Sequence, residues 1–186
     1  MEFVKHPKIL KKETAALLII DLQEKIMPAV LNSERVIENA LKLVKGFKVM
    51  NLPIYYTEQY AKGLGPTAPA LKEELTGNAI NKMSFSCFGA GELFKELIKK
   101  GITQVVLCGV ESHVCVQQSA MDLTANGFQV YLAADAASSR REFDFSTAMD
   151  RMRMNGIQIT TAESVLFELL SICGTDEFKA VSKIVK

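Results

Sequence analysis

The sequence has no tryptophan, two histidines among 186 residues, and a net charge of only +1. Each shortage removes a class of function. With 22 Lys and Arg against 21 Asp and Glu, no strong field steers the chain towards nucleic acid or an anionic membrane. No apolar run approaches the roughly 18–20 residues that cross a bilayer; the longest, Ala15 to Ile20, has strand length. The N-terminal stretch Met1-Glu2-Phe3-Val4-Lys5-His6-Pro7-Lys8 is polar and has no signal-peptide apolar region, so a cytoplasmic location is expected. The cysteines are Cys87, Cys108, Cys115 and Cys173, with no C-x-x-C pair, and His6 and His113 are the two histidines. A metal site is therefore not expected. Reduced thiols are the default in such a compartment, and a free Cys is more often a small core residue than a reactive one.

The composition that remains, 48% apolar and 23% charged, is that of an ordinary globular protein. The length fits one domain over residues 1–186. Short apolar runs alternate with amphipathic segments, the pattern of a parallel sheet covered by helices. Ala15 to Asp21 reads as a strand buried on both faces. Further strands are expected at Pro53–Thr57, Asn78–Lys82, Gln104–Gly109, Gln129–Ala133 and Gln158–Thr160. Ser33 is placed to cap a helix with Val36, Ile37, Ala40, Leu41, Val44 and Phe47 as its apolar stripe. Ala61 to Pro66 reads as a loop, with a short helix from Pro69 to Leu75. Later helices are expected at Leu93–Ile98, from Glu111 or Ser112 to Gly127, and from Phe145 to Asn155. Two more close the chain, the last capped by Thr175. With right-handed crossovers, the expectation is a three-layer α/β/α sandwich on a mainly parallel six-stranded sheet of order 3-2-1-4-5-6.

In such a sheet the ligand crevice lies beyond the carboxyl ends of the strands, where strand order reverses. Asp21 ends the first strand, Lys82 ends the third, and Cys115 sits in the first turn after the fourth. Singly, each has an ordinary explanation: a solvated strand end, a surface lysine, a buried thiol. Together they form a catalytic set. An isolated carboxylate after six apolar residues is costly unless paired, and Lys82 can neutralise it. A thiol at a helix start beside an ammonium has its thiolate stabilised, which predicts a Cys115 pKa below the usual ~8.5. Asp21 can accept the thiol proton and return it to a leaving amine. His113 stands two residues from Cys115, roughly 200° around a helix, so it is not the base. The glycines of Gly63-Leu64-Gly65 and Gly89-Ala90-Gly91 read as turns rather than nucleotide loops, and Met149, Met152 and Met154 as apolar filler.

The segments Leu18-Ile19-Ile20-Asp21-Leu22-Gln23, Asn81-Lys82-Met83-Ser84-Phe85-Ser86 and Cys108-Gly109-Val110-Glu111-Ser112-His113-Val114-Cys115-Val116 resemble the three motifs of the isochorismatase-like cysteine hydrolases. The resemblance runs from about Thr14 to Leu170. Thr57 to Thr67 and Asp135 to Arg140 are similar to the isochorismatase domain-containing proteins of uncharacterised substrate. The resemblance implies Asp21 as general acid/base, Lys82 as electrostatic partner and Cys115 as nucleophile. It implies a non-proline cis peptide between Val110 and Glu111, with the backbone N–H groups of Glu111 and Cys115 as the oxyanion hole. Metal-binding nicotinamidases of this superfamily carry an Asp and paired histidines where this chain has Glu58-Gln59-Tyr60, and true isochorismatases lack the cysteine. Metal-independent hydrolysis of a small amide, ureide or imide through an acyl-enzyme is the expectation, with no cofactor. The pocket is expected around Gln23, Glu58, Gln59, Tyr60 and Phe85. The expected partners are a small-molecule substrate and further copies of the chain, not nucleic acid or membrane. Two alternatives stay open: a thiol redox sensor, and a non-catalytic interaction protein on the same fold.

Overall fold

The computed structural model describes residues 4–186; Met1, Glu2 and Phe3, which begin the polar stretch read for a signal peptide, lie outside it. Six parallel strands form one sheet: β1 (Ala15–Ile20), β2 (Ile54–Gln59), β3 (Ile80–Lys82), β4 (Gln104–Val110), β5 (Gln129–Ser138) and β6 (Gln158–Thr160). Their order is β3-β2-β1-β4-β5-β6, so the direction of winding reverses between β1 and β4. Both of these strands are buried along their whole length, as their unbroken apolar runs require.

Alternation along the strands divides the interior in two. Leu17, Ile19, Val106 and Cys108 face α1 (Ser33–Val49), α7 (Ala162–Leu170) and α8 (Asp176–Val185), and pack with Phe47, Leu43, Leu166 and Val181. Leu18, Ile20, Val105 and Leu107 face the other way, towards α4 (Leu93–Lys99), α5 (Gln117–Ala125) and α6 (Glu142–Met154), and pack with Leu97, Leu123 and Met152. Cys87 and Cys115 lie on this second side. Two short helical turns, α2 (Ala61–Leu64) and α3 (Pro69–Lys72), sit between β2 and β3.

Several boundaries differ from expectation. Helix α1 starts at Ser33 itself; Asn32 precedes it in the left-handed region at φ 53° and makes no side-chain cap, a conformation asparagine tolerates. The Ala61–Pro66 stretch contains a helical turn. Strand β3 begins at Ile80 rather than Asn78. Strand β5 runs to Ser138, five residues past the expected end at Ala133. The strand carries Asp135 within it because the Asp135 Oδ1 accepts the Ala162 N–H at 2.8 Å at the start of α7, so the carboxylate is used inside the fold.

Gly109 governs the meeting of β1 and β4. Its φ is +129°, and a Cβ there would lie 2.1 Å from the Ile20 carbonyl oxygen. Only glycine fits. The close approach brings the end of β4 against the residue before Asp21.

Candidate active site

Asp21 leaves β1 in a left-handed conformation, φ 54°, and its side chain is 1% exposed. Its Oδ1 accepts the Thr57 hydroxyl from β2 at 2.7 Å, and its Oδ2 accepts Lys82 Nζ from β3 at 2.6 Å. A carboxylate and an ammonium withdrawn from water repay their desolvation only if their geometry is good and the remaining hydrogen-bonding capacity is filled. Here it is filled. Lys82 Nζ also donates to Gln59 Oε1 at 2.7 Å, the Phe85 carbonyl at 2.9 Å and the Ser84 carbonyl at 3.2 Å. Three ammonium hydrogens are thus shared among four oxygens.

Cys115 reaches the same crevice from beyond β4. The Val110–Glu111 peptide is cis, and Ser112–Val116 forms a π-helical turn that leads into α5. The sulfur is 4.0 Å from Gln59 Oε1. Ser119 ties this turn to the segment before α4: its Oγ donates to the Cys115 carbonyl at 2.7 Å and accepts the Cys87 N–H at 2.9 Å.

The thiol does not have the depressed pKa that its position in sequence suggested. Burial pushes Cys115 up to about 12, the Asp21 carboxylate adds to the rise, and Lys82 opposes it. Desolvation disfavours a thiolate, and the neighbouring Asp21 anion disfavours it further. Burial also raises Cys87 to about 11 and raises Cys108, on the opposite side of the sheet, further still.

The residues expected around the pocket divide by use. Gln23 is fully buried, accepts the Gln59 N–H at 2.8 Å, and donates to the Gln59 and Gly65 carbonyls at 3.1 and 2.7 Å. Glu58 Oε1 accepts the Thr67 N–H and hydroxyl, both at 2.8 Å. Both side chains hold backbone. Gln59 Oε1 is 2.7 Å from Lys82 Nζ and 4.0 Å from the Cys115 sulfur. Tyr60, at φ 41°, is half-exposed beside an open cleft of about 620 Å³ that also borders Lys82, Met83 and Ser84. Phe85 offers its carbonyl to Lys82 and its ring to solvent. His113 Nδ1 sits 3.0 Å from Ser139 Oγ, and the buried Glu111 carboxylate accepts Arg140 Nε at 2.9 Å. Thr57 and Ser119 were missed. Thr57 carries a local signal, a hydroxyl following the Ile54–Tyr56 run, whereas nothing local distinguishes Ser119. Among the described residues, no group of three His, Cys, Asp or Glu is placed to hold a metal ion, and none is long and apolar enough as a helix to span a membrane.

Comparison with known proteins gives a consistent picture. The isochorismatase domain model matches residues 15–164. Isochorismatase domain-containing protein 2A of Mus musculus is 37% identical over 94% of this chain and 84% of its own length. Isochorismatase domain-containing protein 1 of Salmo salar is 38% identical over 93% of this chain, which spans only 61% of that protein. Among solved structures, the MAR1 ribonuclease of Caenorhabditis elegans superposes with a TM-score of 0.89 at 34% identity, covering 95% of this chain and 91% of that one. The YcaC gene product of Escherichia coli, an octameric hydrolase of unknown specificity, gives 0.88 at 28% identity, with 97% and 91% covered. YcaC from Pseudomonas aeruginosa, solved with hexane-2,5-diol and covalent acrylamide, gives 0.88 at 25% identity, with 97% and 93% covered.

Proposed function

The chain belongs to the isochorismatase-like hydrolase family, and from that premise we propose that it hydrolyses a C–N bond of a small amide, ureide or imide without a metal, using Cys115, Asp21 and Lys82. The observation that carries this reading is the convergence of three side chains from three separate strand ends. The Lys82–Asp21 pair closes at 2.6 Å, and the Cys115 sulfur lies beside it, 4.0 Å from the Gln59 Oε1 that Lys82 also holds and within reach of Asp21.

In this mechanism Cys115 rests as a neutral thiol. As its sulfur attacks the substrate carbonyl, Asp21 takes the proton. The C=O electron pair moves to oxygen, and the oxyanion is held by the backbone N–H groups of Glu111 and Cys115; one such donor is typically worth about 2.7–4 kcal/mol in the transition state. The intermediate collapses, the C–N bond breaks, and Asp21 gives its proton to the departing nitrogen. Asp21 then deprotonates a water whose oxygen attacks the thioester carbon; the C–S bond breaks, and Asp21 returns that proton to the departing sulfur. Lys82 acts as a fixed charge, because its hydrogens are engaged by four oxygens. Covalent acrylamide in the Pseudomonas aeruginosa structure is consistent with a nucleophile in this fold. The reading includes a cytoplasmic homo-oligomer, supported by the octameric Escherichia coli relative.

A library of small amides and ureides, screened by ammonia release, tests it. Cys115→Ala should abolish turnover of any hit, with a loss on the order of 10⁴-fold or more; full activity in that variant would sink the mechanism. The ribonuclease name of the Caenorhabditis elegans relative motivates a second reading, phosphodiester cleavage. Cleavage of a labelled RNA that persists in Cys115→Ala would favour it. A redox-sensing role needs reversible oxidation at Cys115; peroxide treatment and mass mapping that show no such product there would remove it. A scaffold role gives no account of an expensive buried ion pair beside a thiol.

A further inference from the structure

We propose that Gln59 is a positioning residue of this site, acting through Lys82: its amide oxygen holds the ammonium between Asp21 and Cys115, and Gln23 holds Gln59 in place. The inference rests on reading Asp21, Lys82 and Cys115 as one catalytic unit.

Gln59 is the last residue of β2 and pairs in register with Lys82, the last residue of β3. Both side chains therefore leave adjacent strand ends together. The Gln59 amide has a defined orientation: Nε2 donates to the Met83 carbonyl at 2.9 Å, which turns Oε1 inward to accept Lys82 Nζ at 2.7 Å. That oxygen is also 4.0 Å from the Cys115 sulfur. Its backbone is gripped on both sides, because Gln23 accepts its N–H and donates to its carbonyl. A lysine has a long, flexible stem and a strong preference for water. Asp21 and the Ser84 and Phe85 carbonyls hold the ammonium from other directions; Gln59 supplies the acceptor that lies 4.0 Å from the sulfur. The groups that act on Cys115 electrostatically are Asp21 from β1, Lys82 from β3 and Cys87 from the turn before α4, and Lys82 alone favours the thiolate. A displaced ammonium thus leaves the sulfur harder to ionise.

The test is a double-mutant cycle read at the sulfur, which needs no substrate. Iodoacetamide alkylation of Cys115 is followed by mass spectrometry across a pH series in the parent, Gln59→Leu, Lys82→Met and the double variant, with thermal melts checking folding. Lys82→Met should slow alkylation about tenfold at fixed pH, equivalent to a midpoint one unit higher. Gln59→Leu should slow it about threefold, and the double variant should be no slower than Lys82→Met, because both act through one group. Gln59→Met, closer in shape to glutamine, makes the same comparison where Gln59→Leu does not fold. Additive slowing in the double variant, or a parent-like profile in both Gln59 variants, overturns the proposal while leaving the catalytic unit standing. A parent-like profile in Lys82→Met overturns both.

Discussion

The two sides of the sheet are built from the same strands, yet they treat a cysteine differently. Cys108 points from β4 into the α1/α7/α8 side, in the apolar cluster that also holds Leu17, Val44 and Leu166, with the Asp135 carboxylate near enough to act on it. Cys115, a few residues later, enters the α4/α5/α6 side, where the ends of β1, β2 and β3 deliver a carboxylate, a hydroxyl, an amide and an ammonium. Both thiols are buried and both are held protonated by burial. The difference is contact with an acid: Asp135 acts on Cys108 through its charge alone while its Oδ1 accepts the Ala162 N–H, whereas Asp21 also reaches the Cys115 thiol by a hydrogen bond. Burial and pKa do not distinguish a structural thiol from a candidate nucleophile here; the groups that can receive its proton do.

Substitutions on the two sides sharpen this contrast. The largest effects should come from Lys82→Met and Phe47→Ala. The first strands the buried Asp21 charge, at a cost of about 3–5 kcal/mol; the second empties a fully buried aromatic site, at about 3–5 kcal/mol. Urea unfolding should show similar losses for both, but only Lys82→Met should alter Cys115 alkylation. Equal alkylation profiles would erase the distinction between the sides. Gly109→Ala comes next, because it drives a Cβ into the Ile20 carbonyl at a φ of +129°. A loss of about 3 kcal/mol or more is expected, together with weaker alkylation selectivity at Cys115; a parent-like melt would show that the strands can separate there at little cost.

The pH response is smaller and follows from the thiols. Cys87 and Cys115 are raised from 9.0 to about 11 and about 12, so the folded chain keeps protons that the unfolded chain has lost. Their contribution is complete below about pH 9 and is lost as pH rises through those values, with a slope of about 1.4 kcal/mol per pH unit for each thiol. Alkaline urea titrations should show this decline, and Cys115→Ala should make it shallower. An unchanged slope in that variant would mean that the sulfur is more hydrated than its 7% exposure implies. The smallest effect belongs to Cys108→Ala, where removal of one sulfur should cost about 1 kcal/mol and leave Cys115 alkylation untouched.

Much of this architecture could be read along the chain. The run Ala15–Ile20 announced a doubly buried strand, and Asp21 stood out because nothing apolar explains a carboxylate there. The helix stripe through Val36, Ile37, Ala40, Leu41, Val44 and Phe47 marked its own inner face; four of the six are buried, and Ile37 and Leu41 pack half-buried at its edge. Gln23, Glu58 and Gln59 could be placed near the site but not given their contacts, because amide and carboxylate side chains take whichever partners the neighbouring strands present. Ser119 was invisible for the same reason: its role depends on Cys87, 32 positions away.

The sequence by itself determined which segments become strands and helices and which residue types stand near the strand ends, because hydrophobic period and turn chemistry are local and survive without knowledge of neighbours. Only the tertiary structure decided the ionisation of Cys115, the sharing of the Lys82 hydrogens and the orientation of Gln59. Those are set by burial and by charges brought from distant parts of the chain to within hydrogen-bonding distance, where electrostatic interactions are strongest.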